Sequence, residues 1–381
     1  MPTPSLLIVP ARFKTGKLYS QIPTSGAGDF TVTRNTEARR FNSAGLIESV
    51  ASGIPRLDYY TSGGVTGCPA LLVEAAATNL ALHSRDLTNA VWSGTNITTA
   101  KNAVGADGVA SGATTLTATA ASGTVLQAIS HASQSRVFSA YVRRVTGTGA
   151  IQMTTNGGTN WTTVTISSLY TQVACAAQTV ASGTVGFRMA VSGDVIEVDF
   201  TQGEVGPVAT SPIPTTTGTG SRSADVISVT GAVSGSIGQT EGTIYAEINY
   251  DRPPTSKTAI MLINTDGGFE NRIQLFTNSS HQLNTIFSNA STAQTITASG
   301  TNLQNGINKI ALTYTSSSAK LFLNGALQQS FVLTVFPVAS LRVVKLGNNF
   351  NNASPIYNGL RAAALYTNEL TESEAAQLTQ L

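Results

Sequence analysis

The chain has 381 residues, a formal net charge of +2 and only 11% charged side chains. So small a net charge cannot neutralise many phosphates, which excludes an ordinary nucleic-acid binder. A content of 41% hydrophobic residues excludes a disordered chain. No apolar run reaches the ~18 residues of a membrane span, so no membrane insertion is expected. The length predicts two or three domains.

The abundance of Thr, Val, Gly, Ser and Asn points to an all-β protein, because Thr and Val suit pleated surfaces and the others suit turns. Pro2, Pro4 and Pro10 interrupt the short apolar run of Leu6, Leu7, Ile8 and Val9, so no secretory leader is expected. Residues 1–78 concentrate basic side chains (Arg12, Lys14, Lys17, Arg34, Arg39, Arg40 and Arg56). They hold only short strand-like pieces, such as residues 29–33, between Gly and Pro breakers that include Gly63 and Gly64. Such pieces cannot build a large core alone. The expectation is an extended arm or small docking domain, the alternative an edge extension packed on the chain's next domain.

Residues 79–212 read as one β-sandwich. Ser84 is placed to cap a short helix reaching Trp92. Alternating runs follow at 114–119, 137–142, 150–154, 161–166, 185–190 and 195–200, separated by turn signals such as Asn156-Gly157-Gly158. Residues 213–222 read as a linker stiffened at its prolines. Residues 223–381 read as a second sandwich, with strands expected at 243–248, 259–263, 272–276 and 309–314. Asn324-Gly325 between two strand-like flanks predicts a type I′ hairpin. Thr371 and Glu374 form a capping box before a short C-terminal helix. The recurrent Ala-Ser-Gly-Thr at 121, 181 and 298 marks similar turns, not a structural repeat.

The search for chemistry is largely negative. His83, His131 and His281 stand alone, so no zinc site is expected. Cys68 and Cys175 lack metal-ligand spacing or a disulfide framework, and are expected to be small buried thiols. Gly16-Lys17 lacks the rest of a phosphate-binding loop, and no nucleophile elbow is present. Glu197 and Asp199 alternate onto one strand face. They read as solvated residues, with an acid–base pair for glycoside cleavage as the alternative. Asn264 to Glu270, with Asp266 between, clusters oxygen ligands without EF-hand spacing, so a turn is expected over a calcium loop. No metal and no cofactor are predicted. Trp161, opening a strand behind an Asn/Gly-rich turn, and Phe350, flanked by Asn349, Asn351 and Asn352, are the candidate ligand-binding residues. Each has a structural alternative in the core or in satisfying its own loop.

Three stretches together resemble a known group. Thr33-Arg-Asn-Thr-Glu-Ala-Arg-Arg-Phe-Asn-Ser-Ala-Gly-Leu-Ile-Glu48, with Ile54-Pro-Arg-Leu-Asp-Tyr59 and Cys68-Pro-Ala-Leu-Leu-Val-Glu74, is similar to the amino-terminal segment of tailed-bacteriophage structural proteins. Those proteins usually carry Glu-Pro where this chain has Glu74-Ala75. Residues 199–215 resemble the end of a carbohydrate-binding-module-like jelly roll. Ala319-Lys-Leu-Phe-Leu-Asn-Gly325 and residues 365–375 resemble a concanavalin/laminin-G-like domain.

The resemblance implies a non-enzymatic virion protein of the tail-fibre or capsid-fibre type, made in the bacterial cytoplasm. Its partners would be other capsid or tail proteins and further copies of itself, as a homotrimer. Residues 1–78 would dock, through Arg34, Arg39, Arg40 and Arg56, and the sandwiches would adhere to host-surface glycans. Removing residues 1–78 would then leave both sandwiches folded. The other readings are a purely architectural decoration or spacer, and a polysaccharide depolymerase.

Overall fold

A computed structural model describes residues 1–59, 61–62, 65–231, 233–251, 257–266, 268–290 and 292–381. Gly63, Gly64 and Gly267 therefore lie outside the described residues. The described chain is all-β, apart from a 3₁₀ turn at Ser234–Ser236 and one helix at Glu372–Thr379. It divides into two compact units that are discontinuous in sequence. One holds Met1–Glu37, Val50–Ala75 and Ser223–Leu381, and the other Ala38–Ser49 and Ala76–Arg222.

The first unit is a sandwich of two antiparallel sheets. One runs Ala326–Val332, Ser318–Leu323, Gly306–Thr315, Glu241–Tyr250, Gly359–Tyr366, Ala70–Leu72 and Arg56–Asp58, with Leu6–Ile8 also paired to Gly359–Tyr366. The other runs Phe13–Lys14, Lys17–Leu18, Phe30–Thr33, Val226–Thr230, Val343–Leu346, Thr258–Asn264, Arg272–Thr277, Gln282–Asn289 and Thr292–Asn302. Period-2 alternation turns Ile273, Leu275, Phe287 and Ile263 of the second sheet, and Ile244, Ile310 and Leu312 of the first, into one shared core. Asn324 and Gly325 both take positive φ, 50° and 85°, as a type I′ turn requires. The helix begins with the expected capping box: Thr371 Oγ1 accepts from the Glu374 amide and the Glu374 carboxylate accepts from the Thr371 amide. Ala375 and Leu370 pack with Tyr245, Phe322 and Tyr366.

The basic N-terminal segment is not a free arm, and only its residues 38–49 join the next domain in sequence. Residues 1–37 and 50–75 give strands to both sheets of the unit built by the C-terminal residues. Leu6, Ile8, Leu18, Phe30, Val32, Leu57, Leu71 and Val73 are buried in its core. The physical reason is that these runs are too short to bury themselves, yet each offers one apolar edge that an existing sandwich can bury. Arg34 and Arg56, expected on a docking surface, are fully buried. Arg34 Nη1 donates to Asp225 Oδ1 at 2.9 Å, and its other donors reach the carbonyls of Thr36, Val50, Ile54 and Ala51. Arg56 pairs with Glu74 at 2.7 Å and with Asp225. Burial opposes the Arg56 charge, but the two carboxylates outweigh it and hold its pKa above the usual value.

The second unit is also a two-sheet sandwich. One sheet runs Ile97–Ala103, Ala113–Ala118, Val195–Val205, Ala77–Asn79 and Gly220–Arg222. Gln134–Thr146 pairs with Val195–Val205 and carries Thr171–Ala174 and Gln178–Val180. The other runs Ser93–Thr95, Gly123–Ala128, Thr184–Met189, Ile151–Thr154 and Thr162–Val164. Phe138, Phe187, Met189, Ile196 and Val198 lie in the core between them.

Three local expectations are corrected in this unit. Residues 84–92 form successive turns, not a helix. Asp86 and Asn89 accept from backbone amides two residues on, and Ser84 Oγ accepts from the Thr215 amide instead of capping a helix. Residues 213–222 are no free linker: Ile213, Thr215 and Arg222 are buried, and Gly220–Arg222 pairs with Ala77–Asn79. Arg39 and Arg40 sit half-buried on a hairpin strand, Ala38–Phe41, where Arg40 pairs with Glu48 at 2.7 Å and Arg39 donates to Ser49. Of the thiols, Cys175 is buried and Cys68 is exposed. No helix of the described residues is long and apolar enough to cross a membrane.

Candidate functional site

Strand Arg272–Thr277 has two faces. Ile273 and Leu275 enter the sandwich core, so Arg272, Gln274 and Phe276 project from the opposite face. Register places Gln274 opposite Leu262, and Leu262 opposite Lys345, across three neighbouring strands. Arg272 lies opposite Asn264 on one side and Ser288 on the other. The loop after Val343–Leu346 borders this face. It leaves the strand through Gly347, whose φ is +64° and where a Cβ would sit 2.9 Å from Val73. A side chain at that position would therefore be both strained and crowded.

The loop contains the four residues 349–352, and the structure divides their roles. Asn349 is buried and spends its amide on the loop itself, accepting from the Ala353 amide at 3.0 Å and donating to Ser354 Oγ at 3.1 Å. It is thus a scaffold residue, not a ligand contact. Asn351 is exposed. Asn352 takes a left-handed φ of 59°, and its side-chain oxygen lies 3.4 Å from Lys345 Nζ. Phe350 is half-buried, its ring 5.9 Å from that of Phe269, which is 51% exposed. The Arg272 guanidinium lies 5.9 Å from the Phe350 ring. Lys345 Nζ donates to the Phe350 carbonyl at 2.7 Å, and Lys257 Nζ sits 3.8 Å from the Phe276 ring centre. A half-buried and an exposed aromatic ring thus stand together beside three cations on one rim of the first unit.

The turn at Asn264 to Glu270 adjoins this rim and is not organised as a calcium loop. Asn264 donates to the Gly268 carbonyl at 2.6 Å, Asp266 accepts from the Gly268 amide at 2.9 Å, and Glu270 is exposed. Its oxygens close the turn instead of converging on one point. No group of three or more His, Cys, Asp or Glu with metal-binding geometry occurs among the described residues.

Trp161 belongs to the second unit. It is half-buried, and the Arg188 guanidinium covers its ring at 4.5 Å while Arg188 Nε is held by Gln152 at 2.8 Å. Its indole also closes on Gly158, where a Cβ would lie 3.0 Å away. One ring face is therefore already occupied by the chain's own cation.

Glu197 and Asp199 do not share a solvated face. Asp199 lies on the face of its strand away from Ile196 and Val198, but Arg85 and the loop at Ala106 cover that face and bury it fully. Asp199 accepts from Arg85 Nε at 2.8 Å and from the Ala106 amide at 2.9 Å; Glu197 pairs with Arg143. Burial raises the Asp199 pKa, and Arg85 opposes that shift.

Of these residues, the sequence nominates Phe350 and its loop as candidates. It does not nominate Arg272 and Gln274, although alternation in the strand expected at 272–276 puts both on the face away from the core. Lys257, Phe269 and Lys345 come from other strands or loops, and only the sheet order brings them there.

Two antiparallel sheets packed face to face, with the candidate site on the outer face of one and on its border loop, define the first unit as a β-sandwich. Residues 219–376 match the family model Laminin_G_3, described as the Concanavalin A-like lectin/glucanases superfamily. Comparison with curated proteins finds no match. Among solved structures, the chain is similar to the Ruminococcus gnavus IT-sialidase CBM40, at 17% identity over 38% of this chain and 85% of that one, with a TM-score of 0.33. It is similar to domain 4 of AbnA, a GH43 extracellular arabinanase from Geobacillus stearothermophilus solved with arabinotriose, at 17% identity over 41% of this chain and 73% of that one, TM-score 0.33. A third is the NanB sialidase of Streptococcus pneumoniae, at 14% identity and TM-score 0.33, over 40% of this chain and about a quarter (26%) of that enzyme. Likenesses this distant leave the question of ligand to the chain's own residues.

Proposed function

We propose that this chain is a non-enzymatic adhesion protein of a tailed-phage virion, binding host-surface glycans through the rim formed by Phe350, Phe269 and the Asn351–Asn352 backbone turn. The observation that carries the adhesion reading is the exposed Phe269 ring beside the half-buried Phe350, set among amide and cationic donors. An apolar ring face for stacking and a few fixed polar groups are what a sugar-binding site needs. The carboxylates that a glycosidase reading would use, Glu197 and Asp199, each sit on an arginine. The virion assignment rests on the resemblance of residues 33–74, 199–215 and 319–375 to phage structural proteins. Homotrimer formation belongs to the same reading, and weak sites repeated three times gain avidity without new contacts. Attachment to the capsid or tail would then use exposed residues of the N-terminal segment, since Arg34 and Arg56 are buried.

A glycan array probed with the full chain, beside a mass measurement in solution, tests this reading. Retention on a defined glycan class, reduced about tenfold in Phe350→Ala, is expected, as truncating a central anchor costs on the order of 1–2 kcal/mol. Retention unchanged in that variant would move the site elsewhere. A chain that retains no glycan would support the architectural alternative.

A further inference from the structure

Three cations meet at this rim without a carboxylate. Arg272 is only 9% exposed, and its Nε and Nη1 have no hydrogen-bond partner. Gln274, two residues on and on the same strand face, is 2% exposed with its Nε2 also unpartnered. Among the described residues, Lys345 donates only to the Phe350 carbonyl and the Asn352 amide oxygen, both neutral, and Lys257 has a π-face and no ion pair. Asp266 and Glu270, on the adjoining turn, form no salt bridge with any of the three among the described residues.

By contrast, the fully buried guanidiniums Arg34 and Arg56 of this unit are matched: they share Asp225, and Arg56 also pairs with Glu74. A buried cation left unpaired is costly, because both its charge and its N–H groups lose water without replacement. The costs at Arg272 and Gln274 fall on one patch, beside Phe350 and Phe269.

We infer that this patch binds the anionic group of an acidic saccharide, a ring bearing a carboxylate or a sulfate. Arg272 and Gln274 donate from beneath, Lys345 and Lys257 flank the charge, and Phe350 and Phe269 hold the sugar ring. The inference rests on the adhesion reading and narrows it to a ligand class. Burial lowers the pKa of Arg272, Lys345 and Lys257, and the neighbouring Arg272 lowers that of Lys257 further. Bound anion would reverse that direction.

The test uses the full chain on a panel of uronate-bearing and sulfated oligosaccharides, each beside its carboxyl-reduced or desulfated counterpart. At low ionic strength the acidic member is expected to bind at least about tenfold more tightly than its neutral partner, and the preference should shrink as salt screens it. Preference for uronates over sulfates, or the reverse, names the anion. Arg272→Gln is expected to abolish the preference, whereas Phe350→Ala should weaken acidic and neutral members alike. Because an unpaired buried charge is removed, the Tm of unliganded Arg272→Gln should be unchanged or higher. Equal binding of acidic and neutral members would overturn the anion inference while leaving glycan adhesion standing. No binding by any member, on this panel and on the array, would overturn both. A lowered Tm in Arg272→Gln with the preference intact would make the arginine structural and sink the inference.

Discussion

At Asp225 two arginines share one carboxylate. Arg34 and Arg56 come from the N-terminal segment and Asp225 from the strand region that opens the C-terminal part, with Glu74 completing the group. Removing one partner of such a group leaves a buried charge without compensation, so Asp225→Ala is expected to destabilise the first unit by about 3–5 kcal/mol, read by denaturant unfolding. Substitution of Arg40, half-exposed and paired with Glu48, should change stability by less than about 1 kcal/mol in the same assay. The two thiols offer a second contrast. Burial pushes the Cys175 thiol up to about 12, while Cys68 is exposed. Since the thiolate is the nucleophile, a maleimide or iodoacetamide at pH 8 should label Cys68 alone in the native chain and both in denaturant. The sign for stability follows: protection of the Cys175 proton favours the fold at low and neutral pH. That contribution fades as pH rises from the thiol's ordinary range towards 12. Native labelling of Cys175 at the same rate as Cys68 would contradict its burial.

Elements show where local signals suffice. The hairpin at Asn324-Gly325 and the helix opened by Thr371 were legible because each depends on residues within four positions of one another. Thr371→Ala should cost about 0.5–2 kcal/mol, and a bulkier residue at Gly325, with φ 85°, about 1 kcal/mol or more, each measurable by thermal unfolding. Ser84 illustrates the opposite case. Its sequence neighbourhood satisfies a helix cap, but Thr215, 131 residues away, supplies the amide that its hydroxyl accepts from. The stretch 213–222 reads as a linker from its prolines, yet it is held by Gln202, Asn79 and Ser84. Asp199 reads as solvated by simple alternation. Alternation does keep it off the core, but Arg85 and the loop at Ala106, distant in sequence, cover that face and bury it.

For the whole molecule, the segment 1–78 is the main revision. It contributes core residues to the first unit and the hairpin at 38–49 to the second. A deletion of residues 1–78 is therefore expected to unfold the first unit, not to leave it intact. Phe30→Ala should lower that unit's stability by about 3–5 kcal/mol, the usual cost of emptying a buried aromatic site. Loss of virion incorporation in such a truncation could not be assigned to docking. A test of attachment needs surface substitutions that leave the core in place.

The sequence by itself determined the all-β class, most strands of both sandwiches, the hairpin turn and the final helix. These follow from alternation, turn chemistry and capping, which act over a few residues. Tertiary structure alone decided that residues 1–37 and 50–75 complete the sheets of the last 159, that Arg34 and Arg56 are internal, and that Arg272, Gln274, Lys257 and Lys345 share a patch with Phe350. Burial and charge pairing are properties of strand order and register. Those are set by which apolar faces can cover one another across the chain, and no local pattern records them.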